Sequence, residues 1–354
     1  MCRRGCGRRV TSPGDRSQAK ARVSRPRDRP WHDAPVPNTK PRVLLTNPIH
    51  PGLQPVLAAQ CDLLLAPDTS AATLKRLVAD VDALVVRAQL PPDLFEHAPR
   101  LRAVVRHGVG LDMIPVAAAT ARGIPVANLP GSNTQTVVEY CLAAMLHLRR
   151  GLATLDTRLR GEGWAAARPL ADGGTELAGG VCGIVGVGAI GTRLAGIAGA
   201  LGMRVLGLTR RPGSLPPGVE AADKPTLFAQ SDVVVLCCPL TEQTRGLVDA
   251  ATVDSMKRGA LLVNVARGPV MDTDAVLRAL REGRLGGAAL DVHDRQPLTG
   301  SEAVFDAPRL LLTPHVAGIS DTSMRAMSEQ AIATLQALLR GERPPNVVNP
   351  EVFG

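Results

Sequence analysis

Short apolar runs alternate with amphipathic stretches along the chain from residue 43 onward. In the first part these runs are VLLT (43–46), CDLLLA (61–66), DALVV (82–86), RAVV (102–105) and IPVAN (124–128). Helix-like segments such as 71–79 and 116–123 lie between them. Apolar strands that alternate with helices are typical of a parallel sheet, because each crossover places a helix on a face of the sheet. The alternation therefore predicts an α/β fold.

A second series of strands follows a long helical segment at 134–151. Its strands are VCGIVGV (181–187), RVLGL (204–208), DVVVLCC (232–238), ALLVNV (260–265), GGAALDV (286–292) and RLLLTP (309–314). A last amphipathic helix at 321–341 ends at a glycine that is followed by prolines. With 354 residues the chain is long enough for two domains, so we predict two doubly wound parallel-sheet domains with a cleft between them.

A glycine-rich loop joins the first strand of the second series to a helix. The segment GIVGVGAIGTRLA (183–195) places Gly186, Gly188 and Gly191 in a G-x-G-x-x-G frame. The first glycine permits a tight turn, the second a close approach to a pyrophosphate, and the third close packing of helix on strand. We therefore predict a Rossmann domain at 133–318, in which Ala189 and Ile190 begin the phosphate-binding helix.

The end of the next strand predicts the choice of cofactor. An NAD enzyme usually places Asp or Glu about twenty residues after the glycines, but this chain has Thr209, Arg210 and Arg211 there. A carboxylate would repel a 2′-phosphate, whereas a guanidinium binds one through paired hydrogen bonds. The pattern favours NADP over NAD, with solvated arginines at a strand end as the alternative.

The net positive charge of the chain comes entirely from the first 42 residues. They hold 12 of the 41 Lys and Arg but only 3 of the 32 acidic residues, which leaves 29 basic and 29 acidic residues in 43–354. The Pro-, Arg- and Ser-rich opening is typical of a disordered tail. A mis-assigned start or inert tail is favoured over a targeting peptide or nucleic-acid contact, and the neutral remainder argues against a nucleic-acid partner.

The cysteines and the hydropathy pattern exclude several classes of protein. The chain has seven cysteines, an odd number without a paired framework, which indicates a reducing cytoplasm. Cys2 and Cys6 lack a second pair of zinc ligands, and we predict no metal site. Cys237 and Cys238 end an apolar strand and are predicted to be packed thiols. No apolar run reaches the roughly 18 residues that a membrane helix needs.

Several ordered motifs make residues 43–350 resemble the D-2-hydroxyacid dehydrogenase family, which includes glyoxylate/hydroxypyruvate reductases and phosphoglycerate dehydrogenases. Besides the glycine-rich loop, they are RHGVGLDMI (106–114), LPGSNTQTVVEY (129–140), PLTEQTRGLV (239–248), NVARGPVMDTDAV (264–276), ALDV (289–292) and TPHVAG (313–318). The resemblance implies a flavodoxin-like substrate domain, formed by 43–132 and 319–350, into which the Rossmann domain is inserted. It also implies a homodimer through 134–170, with Trp164 in an exchanged arm.

The resemblance further implies roles for individual residues. Arg267 would grip the substrate carboxylate, and His315 would protonate the carbonyl oxygen as the general acid. The backbone of Val109 and Gly110 would hold the same carboxylate, with Arg87 nearby. Further cofactor contacts are implied for Pro239, Thr244, Ala266 and Asp291. His107 and His293 are predicted to be bystanders.

Gln296 departs from the family pattern. The catalytic glutamate of the family directly precedes a proline in this stretch, and here Gln296 precedes Pro297. A carboxylate would raise the pKa of His315, whereas an amide orients the ring without adding charge. The favoured interpretation is an enzyme whose reduction optimum is more acidic, with Asp294 reaching the histidine as the alternative.

Two other functions stay open at this point. Formate dehydrogenases resemble the chain in pairing Gln-Pro with the histidine and in an asparagine like Asn133, and they remove hydride without proton transfer. A non-catalytic, nucleotide-sensing protein like the corepressor relatives is the other alternative. The sequence favours an NADPH-preferring reductase of small 2-oxoacids, glyoxylate or hydroxypyruvate.

Overall fold

Two parallel sheets, each covered by helices, form the part of the chain that the computed structural model describes, residues 40–354. The predicted tail at 1–42 falls almost wholly outside the described residues. Within 40–354 no helix is both long and apolar enough to cross a membrane. Over the same range, no cluster of His, Cys, Asp and Glu is suited to hold a metal ion.

The first sheet has the strand order of a flavodoxin-like domain. Its strands are β1 (Arg42–Leu45), β2 (Asp62–Leu65), β3 (Ala83–Val86), β4 (Ala103–Arg106) and β5 (Val126–Ala127). They pair in the order β2-β1-β3-β4-β5, and every pair is parallel. All four residues of β3 are buried, because helices cover both faces of the central strands.

The second sheet has the order of a Rossmann fold. Its strands are β6 (Val181–Val185), β7 (Arg204–Leu208), β8 (Val219–Ala221), β9 (Val233–Leu236), β10 (Leu261–Asn264), β11 (Gly287–Leu290) and β12 (Leu310–Leu312). They pair in parallel in the order β12-β11-β10-β9-β6-β7-β8. The order reverses between β6 and β9, which is where such sheets bind their ligands.

The helices connect the strands and cover the sheets. They are α1 (Gln54–Ala58), α2 (Ala71–Val78), α3 (Val116–Ala121), α4 (Thr134–Arg150), α5 (Leu152–Glu162), α6 (Trp164–Ala167), α7 (Ala189–Ala200), α8 (Lys224–Gln230), α9 (Ala250–Ser255), α10 (Thr273–Arg281) and α11 (Asp321–Leu339). Short 3₁₀ helices span Leu94–His97, Arg168–Gly173, Pro212–Ser214, Gly268–Val270, Ala303–Asp306 and Pro350–Phe353.

Polar caps and glycines set the ends of the long helices. Ser320 and Ser323 form a reciprocal capping box at the start of α11. At the start of α10 the side chain of Asp272 accepts the backbone N–H of Ala275 at 3.0 Å. Gly151 ends α4 with a φ of 59°, a left-handed conformation that glycine adopts without steric cost. A new helix, α5, can therefore start in a different direction.

The C-terminal segment returns to the first sheet. Helix α11 packs against β3 and β4. Beyond it, the buried side chain of Asn349 accepts the backbone N–H of Val126 at 2.7 Å and donates to the carbonyl of Ile124 at 2.9 Å. Val347 also forms an antiparallel bridge with Ala127. The first sheet is therefore built from both ends of the described chain.

The predicted fold class is confirmed, and every predicted strand is present. Several strands end earlier than predicted, because residues such as Cys237, Val265 and Asp291 leave the sheet to line a cleft. Strand β8 was missed, since its sequence VEA has no apolar run and its residues are largely exposed at the sheet edge. The domain boundaries at 132–133 and 318–319 remain a prediction.

Candidate active site

A cleft of about 740 Å³ lies at the carboxyl ends of strands from both sheets. The first sheet contributes Arg106, the last residue of β4, and the turn that follows it, residues 107–113. The second sheet contributes the residues that follow β6, β9, β10 and β11, together with segment 315–319. Ligands of open parallel sheets bind at this edge, so the cleft is the candidate active site.

The glycine-rich turn provides a backbone cradle in the cleft. Gly186 has a φ of +97°, and a Cβ there would lie 2.6 Å from the Cα of Cys238. A Cβ on Gly191 would lie 2.4 Å from the carbonyl oxygen of Gly186, so this glycine permits the helix to approach the turn. Gly188 faces open space, and within the part of the chain that the structure describes no side chain caps the N–H groups of the helix that begins at Ala189. These features fit a dinucleotide pyrophosphate at a helix N-terminus.

The three residues predicted to select the cofactor lie after β7, outside the lining of the cleft. Thr209 is half-buried and its hydroxyl accepts the backbone N–H of Arg211 at 3.3 Å. Arg210 and Arg211 are exposed, and among the described residues neither guanidinium has a hydrogen-bond or ion-pair partner. Both charges are therefore available to a phosphate.

The remaining predicted cofactor contacts divide into two groups. Ile190, Pro239 and Ala266 line the cleft. Thr244 does not line the cleft. Its hydroxyl donates to the carbonyl of Pro239 at 2.7 Å, so it holds a residue that does. Cys237 also lines the cleft, and burial raises the pKa of its thiol well above the usual value. A thiol with a raised pKa stays neutral and is a weak nucleophile, which fits the predicted role of a packed cysteine.

Arg267 is held by a carboxylate from the other sheet. Its Nε and Nη2 atoms donate to Oδ1 of Asp112 at 3.0 and 2.8 Å, and Nη1 donates to the carbonyl of Ala266 at 2.7 Å. Burial acts to raise the pKa of Asp112, but the hydrogen bonds and charge of Arg267 outweigh it and hold that pKa below its usual value. Sequence analysis missed Asp112, although its place in the RHGVGLDMI motif was a usable signal.

The glycines of this turn allow the arginine to approach. A Cβ on Gly110 would lie 1.8 Å from Nη2 of Arg267, and Gly108 has a φ of +144°. Val109 is exposed and lines the cleft beside Gly110. The backbone of this turn and the guanidinium of Arg267 therefore face the same space.

Two further arginines line the cleft. Arg106 donates to the carbonyls of Val86, His107 and Gly110 at 3.0, 2.6 and 3.1 Å, and Arg87 donates to the carbonyl of Pro48. Burial, together with the charge of Arg267, lowers the pKa of Arg106 to about 10. Within residues 40–354 neither Arg87 nor Arg106 forms an ion pair with a carboxylate. Sequence analysis missed Arg106.

His315 and Gln296 are in direct contact. Oε1 of Gln296 lies 2.9 Å from Nδ1 of His315, while Nε2 of Gln296 donates to the carbonyl of His293 at 3.5 Å. An amide oxygen only accepts, so Nδ1 of His315 carries a hydrogen and Nε2 is the atom that gains or loses a proton. Burial and the charge of Arg267 lower the pKa of His315. Asp294 does not contact the ring; it accepts the hydroxyl of Thr273 at 2.8 Å.

Asp291 holds the segment around His315. Its carboxylate is buried and accepts the hydroxyl of Thr313 and the backbone N–H groups of Val316 and Ala317, at 2.7, 2.7 and 2.9 Å. His315 lies between these contacts with a φ of +59°, which non-glycine residues rarely adopt. Asp291 lines the cleft, but among the described residues its carboxylate hydrogen-bonds only to this segment.

The two predicted bystander histidines do not offer a second acid. His107 is buried, its Nε2 atom lies 2.9 Å from the hydroxyl of Ser328, and burial lowers its pKa to about 3. Nε2 of His293 lies 3.1 Å from the carbonyl of Thr313. Among the histidines that line the cleft, His315 is the one whose ring is not enclosed by the fold.

The comparisons with known proteins agree with this arrangement. Residues 142–317 match the D-isomer specific 2-hydroxyacid dehydrogenase, NAD binding domain family. A glyoxylate reductase of Korarchaeum cryptofilum is 38% identical over 293 residues, 81% of this chain and 88% of that protein. An NADPH-dependent glyoxylate/hydroxypyruvate reductase of Sinorhizobium meliloti, solved with NADP and malonate, is 29% identical with a TM-score of 0.79, covering 89% of this chain and 98% of that one. An NAD-dependent formate dehydrogenase of Staphylococcus aureus shares the fold with a TM-score of 0.78. It is 24% identical, and the match covers 87% of this chain and 98% of that one.

Proposed function

Since the chain belongs to the D-isomer specific 2-hydroxyacid dehydrogenase family, we propose that it reduces small 2-oxoacids, glyoxylate or hydroxypyruvate, to D-2-hydroxyacids with a nicotinamide cofactor, preferably NADPH. One observation carries the proposal: Arg267, His315 and the glycine-rich turn at 186–191 open onto the same cleft. This reaction needs a cation that binds the substrate carboxylate, a proton donor and a site for the cofactor pyrophosphate.

The substrate carboxylate would bind between Arg267 and the turn at Val109 and Gly110. Arg267 lines the cleft, and the contacts with Asp112 use only its Nε and one hydrogen of Nη2. Arg87 adds a positive charge that no carboxylate of the described residues neutralises. An anionic 2-oxoacid is therefore favoured over a neutral carbonyl compound.

The proton for the substrate would come from Nε2 of His315. Nδ1 is fixed on Gln296, so Nε2 carries the exchangeable proton. When bound, the nicotinamide supplies the hydride, and His315 donates its proton to the carbonyl oxygen on which negative charge develops. Because the pKa of His315 is lowered, the protonated form is more abundant in acid, and reduction should be faster there.

The preference for NADPH rests on the two arginines after β7. The guanidinium groups of Arg210 and Arg211 are exposed and lack carboxylate partners within the described residues, so a 2′-phosphate would not compete with an existing ion pair. The Sinorhizobium meliloti relative is itself NADPH-dependent. NAD remains the alternative cofactor.

We also propose a homodimer in a reducing cytoplasm. The segment from α5 to the 3₁₀ helix at 168–173 exposes large apolar side chains, and Trp164 is 73% exposed. Burial of this face against a second copy would remove it from water. The five cysteines of the described residues are free thiols. Light scattering of the wild type and of Trp164→Glu tests the dimer, because the variant should be monomeric.

The proposed activity is tested by NADPH oxidation with glyoxylate and with hydroxypyruvate, from acid to neutral pH. Turnover that rises toward acid supports the assignment. Arg267→Met should lose turnover while its affinity for NADPH stays within about twofold, which separates loss of the substrate site from loss of the cofactor site. Tight NADPH binding by the wild type without turnover at any pH would refute the reductase and favour a nucleotide sensor.

A second candidate is formate-like hydride removal, which the contact of Gln296 with His315 favours. Such a reaction needs no proton donor, so an amide beside the histidine would be sufficient, and Asn133 also lines the cleft. Incubation with formate and NAD or NADP distinguishes the two candidates. Formation of reduced cofactor from formate, without reduction of glyoxylate, would replace the proposed function.

A further inference from the structure

Tyr140 connects helix α4 to the segment that carries His315. Its hydroxyl lies 2.7 Å from the hydroxyl of Thr313, which lies 2.7 Å from Oδ1 of Asp291. We infer that Tyr140 is a positioning residue for His315 and acts through Thr313 and Asp291. The inference rests on the proposed function, in which His315 is the proton donor.

The direction of these hydrogen bonds follows from the groups themselves. The carboxylate of Asp291 also accepts two backbone N–H groups, so it acts as an acceptor, and the single hydroxyl hydrogen of Thr313 must point to it. The oxygen of Thr313 then accepts, and the hydroxyl of Tyr140 donates. Burial raises the pKa of Tyr140 to about 12, so this donor stays protonated throughout the working range of the protein.

The hydrogen bonds from Tyr140 through Thr313 to Asp291 help to hold the backbone conformation of His315. Asp291 binds residues on both sides of His315, namely Thr313 before it and Val316 and Ala317 after it. A residue with a φ of +59° keeps that conformation only when its surroundings hold it there. Loss of the Tyr140 hydroxyl frees the hydroxyl of Thr313 to rotate away from Asp291, so the contact on one side of His315 weakens.

One face of α4 supports the whole segment. Asn133, Thr136 and Tyr140 are spaced as neighbours along one side of a helix. The hydroxyl of Thr136 lies 3.2 Å from that of Ser320, and a Cβ on Gly318 would lie 2.5 Å from Nδ2 of Asn133. The segment from Thr313 to Ser320 therefore lies along α4, and Tyr140 is the contact nearest to Asp291.

The first test is the kinetics of Tyr140→Phe in the full-length protein. This change keeps the ring and removes only the hydroxyl. We expect kcat for glyoxylate reduction to fall about fivefold, because one hydrogen bond is lost. KM for both substrates should stay within about twofold of the wild-type value. Glu139→Gln is the matched control, because its carboxylate is exposed on the same helix and within residues 40–354 accepts a hydrogen bond only from Gln135; its kcat should equal that of the wild type.

A double-mutant cycle tests whether Tyr140 acts through Thr313. Thr313→Val should lower kcat at least as much as Tyr140→Phe, and the double variant should be no slower than Thr313→Val alone. Thr313→Ser keeps the hydroxyl and should retain most of the activity. Additive losses, or an unchanged kcat in Tyr140→Phe, would overturn the inference.

A spectroscopic measurement separates this inference from the proposed function. Tyr140 is the only tyrosine of the chain, so protein labelled with ¹³Cζ-tyrosine has one resonance. The chemical shift of that resonance should change in Thr313→Val and should equal the wild-type value in Glu139→Gln. An unchanged chemical shift in Thr313→Val would overturn the contact between Tyr140 and Thr313, even in an active enzyme. A wild type without turnover would instead refute the proposed function, and the contact could still be measured.

Discussion

Gln296→Glu is the substitution that most directly tests how the acid is tuned. Oε1 of Gln296 lies 2.9 Å from Nδ1 of His315, and glutamate has the same number of heavy side-chain atoms. The substitution therefore places a negative charge beside the ring without a change of shape. Because an adjacent carboxylate stabilises the imidazolium, the pKa of His315 should rise from its lowered value.

The size of the effect follows from the distance and the exposure of the site. An opposite charge within about 4–6 Å moves a side-chain pKa by roughly 1–3. Gln296 is exposed, so water screens the new charge and the lower part of that range applies. Reduction needs the protonated ring, and its rate falls as pH rises through the pKa of His315. The pH at half-maximal kcat/KM should therefore move up by about one to two pH units.

The assay is kcat/KM for glyoxylate reduction across the pH range, for the wild type and for Gln296→Glu. Asp294→Asn serves as the control, because this carboxylate binds Thr273 and does not touch the ring; its profile should match that of the wild type. A profile of Gln296→Glu that coincides with the wild type would refute the reasoning, since a charge in contact with Nδ1 must change the proton affinity of Nε2.

Three other substitutions extend the argument to the neighbouring charge, the cofactor and the fold. Asp112→Asn removes a carboxylate that helps to keep His315 protonated, so the same pH profile should move downward; an upward move would contradict the assigned charges. Arg210→Asp should reverse the NADPH/NADH ratio of kcat/KM, because a carboxylate repels the 2′-phosphate; an unchanged ratio would refute the role of Arg210. Asn349→Ala should lower the free energy of unfolding in urea by about 2–4 kcal/mol, because buried backbone groups lose their partners, whereas exposed Glu351→Gln should change it little.

The parallel sheets could be predicted because their strands are buried on both faces. Runs such as ALVV (83–86) and VVVLCC (233–238) are apolar at every position, which distinguishes them from the solvated segments around them. The flavodoxin-like topology of the first sheet was predicted from the family resemblance, and the Rossmann domain from the glycine-rich loop, rather than from periodicity. The edge strand β8 has no such apolar run and escaped prediction.

The candidate site was predictable where a residue type and its motif point to one chemistry. Arg267 and His315 belong to this class, and the contact of Gln296 with the ring follows from its place before Pro297. Asp112 and Arg106 were missed, because a single charged residue in a turn or at the end of a strand is usually solvated. The role of Asp112 depends on the approach of two sheets, a relation between distant segments that no local pattern records, whereas Arg106 donates to the carbonyl of Gly110 in the adjoining turn.

The return of the C-terminal segment to the first sheet has a consequence for synthesis. The strands of the second sheet, within 181–312, form one uninterrupted stretch and can pair as soon as that stretch has left the ribosome. The first sheet is translated before that stretch, yet α11 and the contacts of Asn349 with β5 reach it only after the second sheet has been made. The first sheet therefore waits for residues 321–349 to be translated, and a nascent chain truncated before α11 exposes the apolar face of β3 and β4 to chaperones.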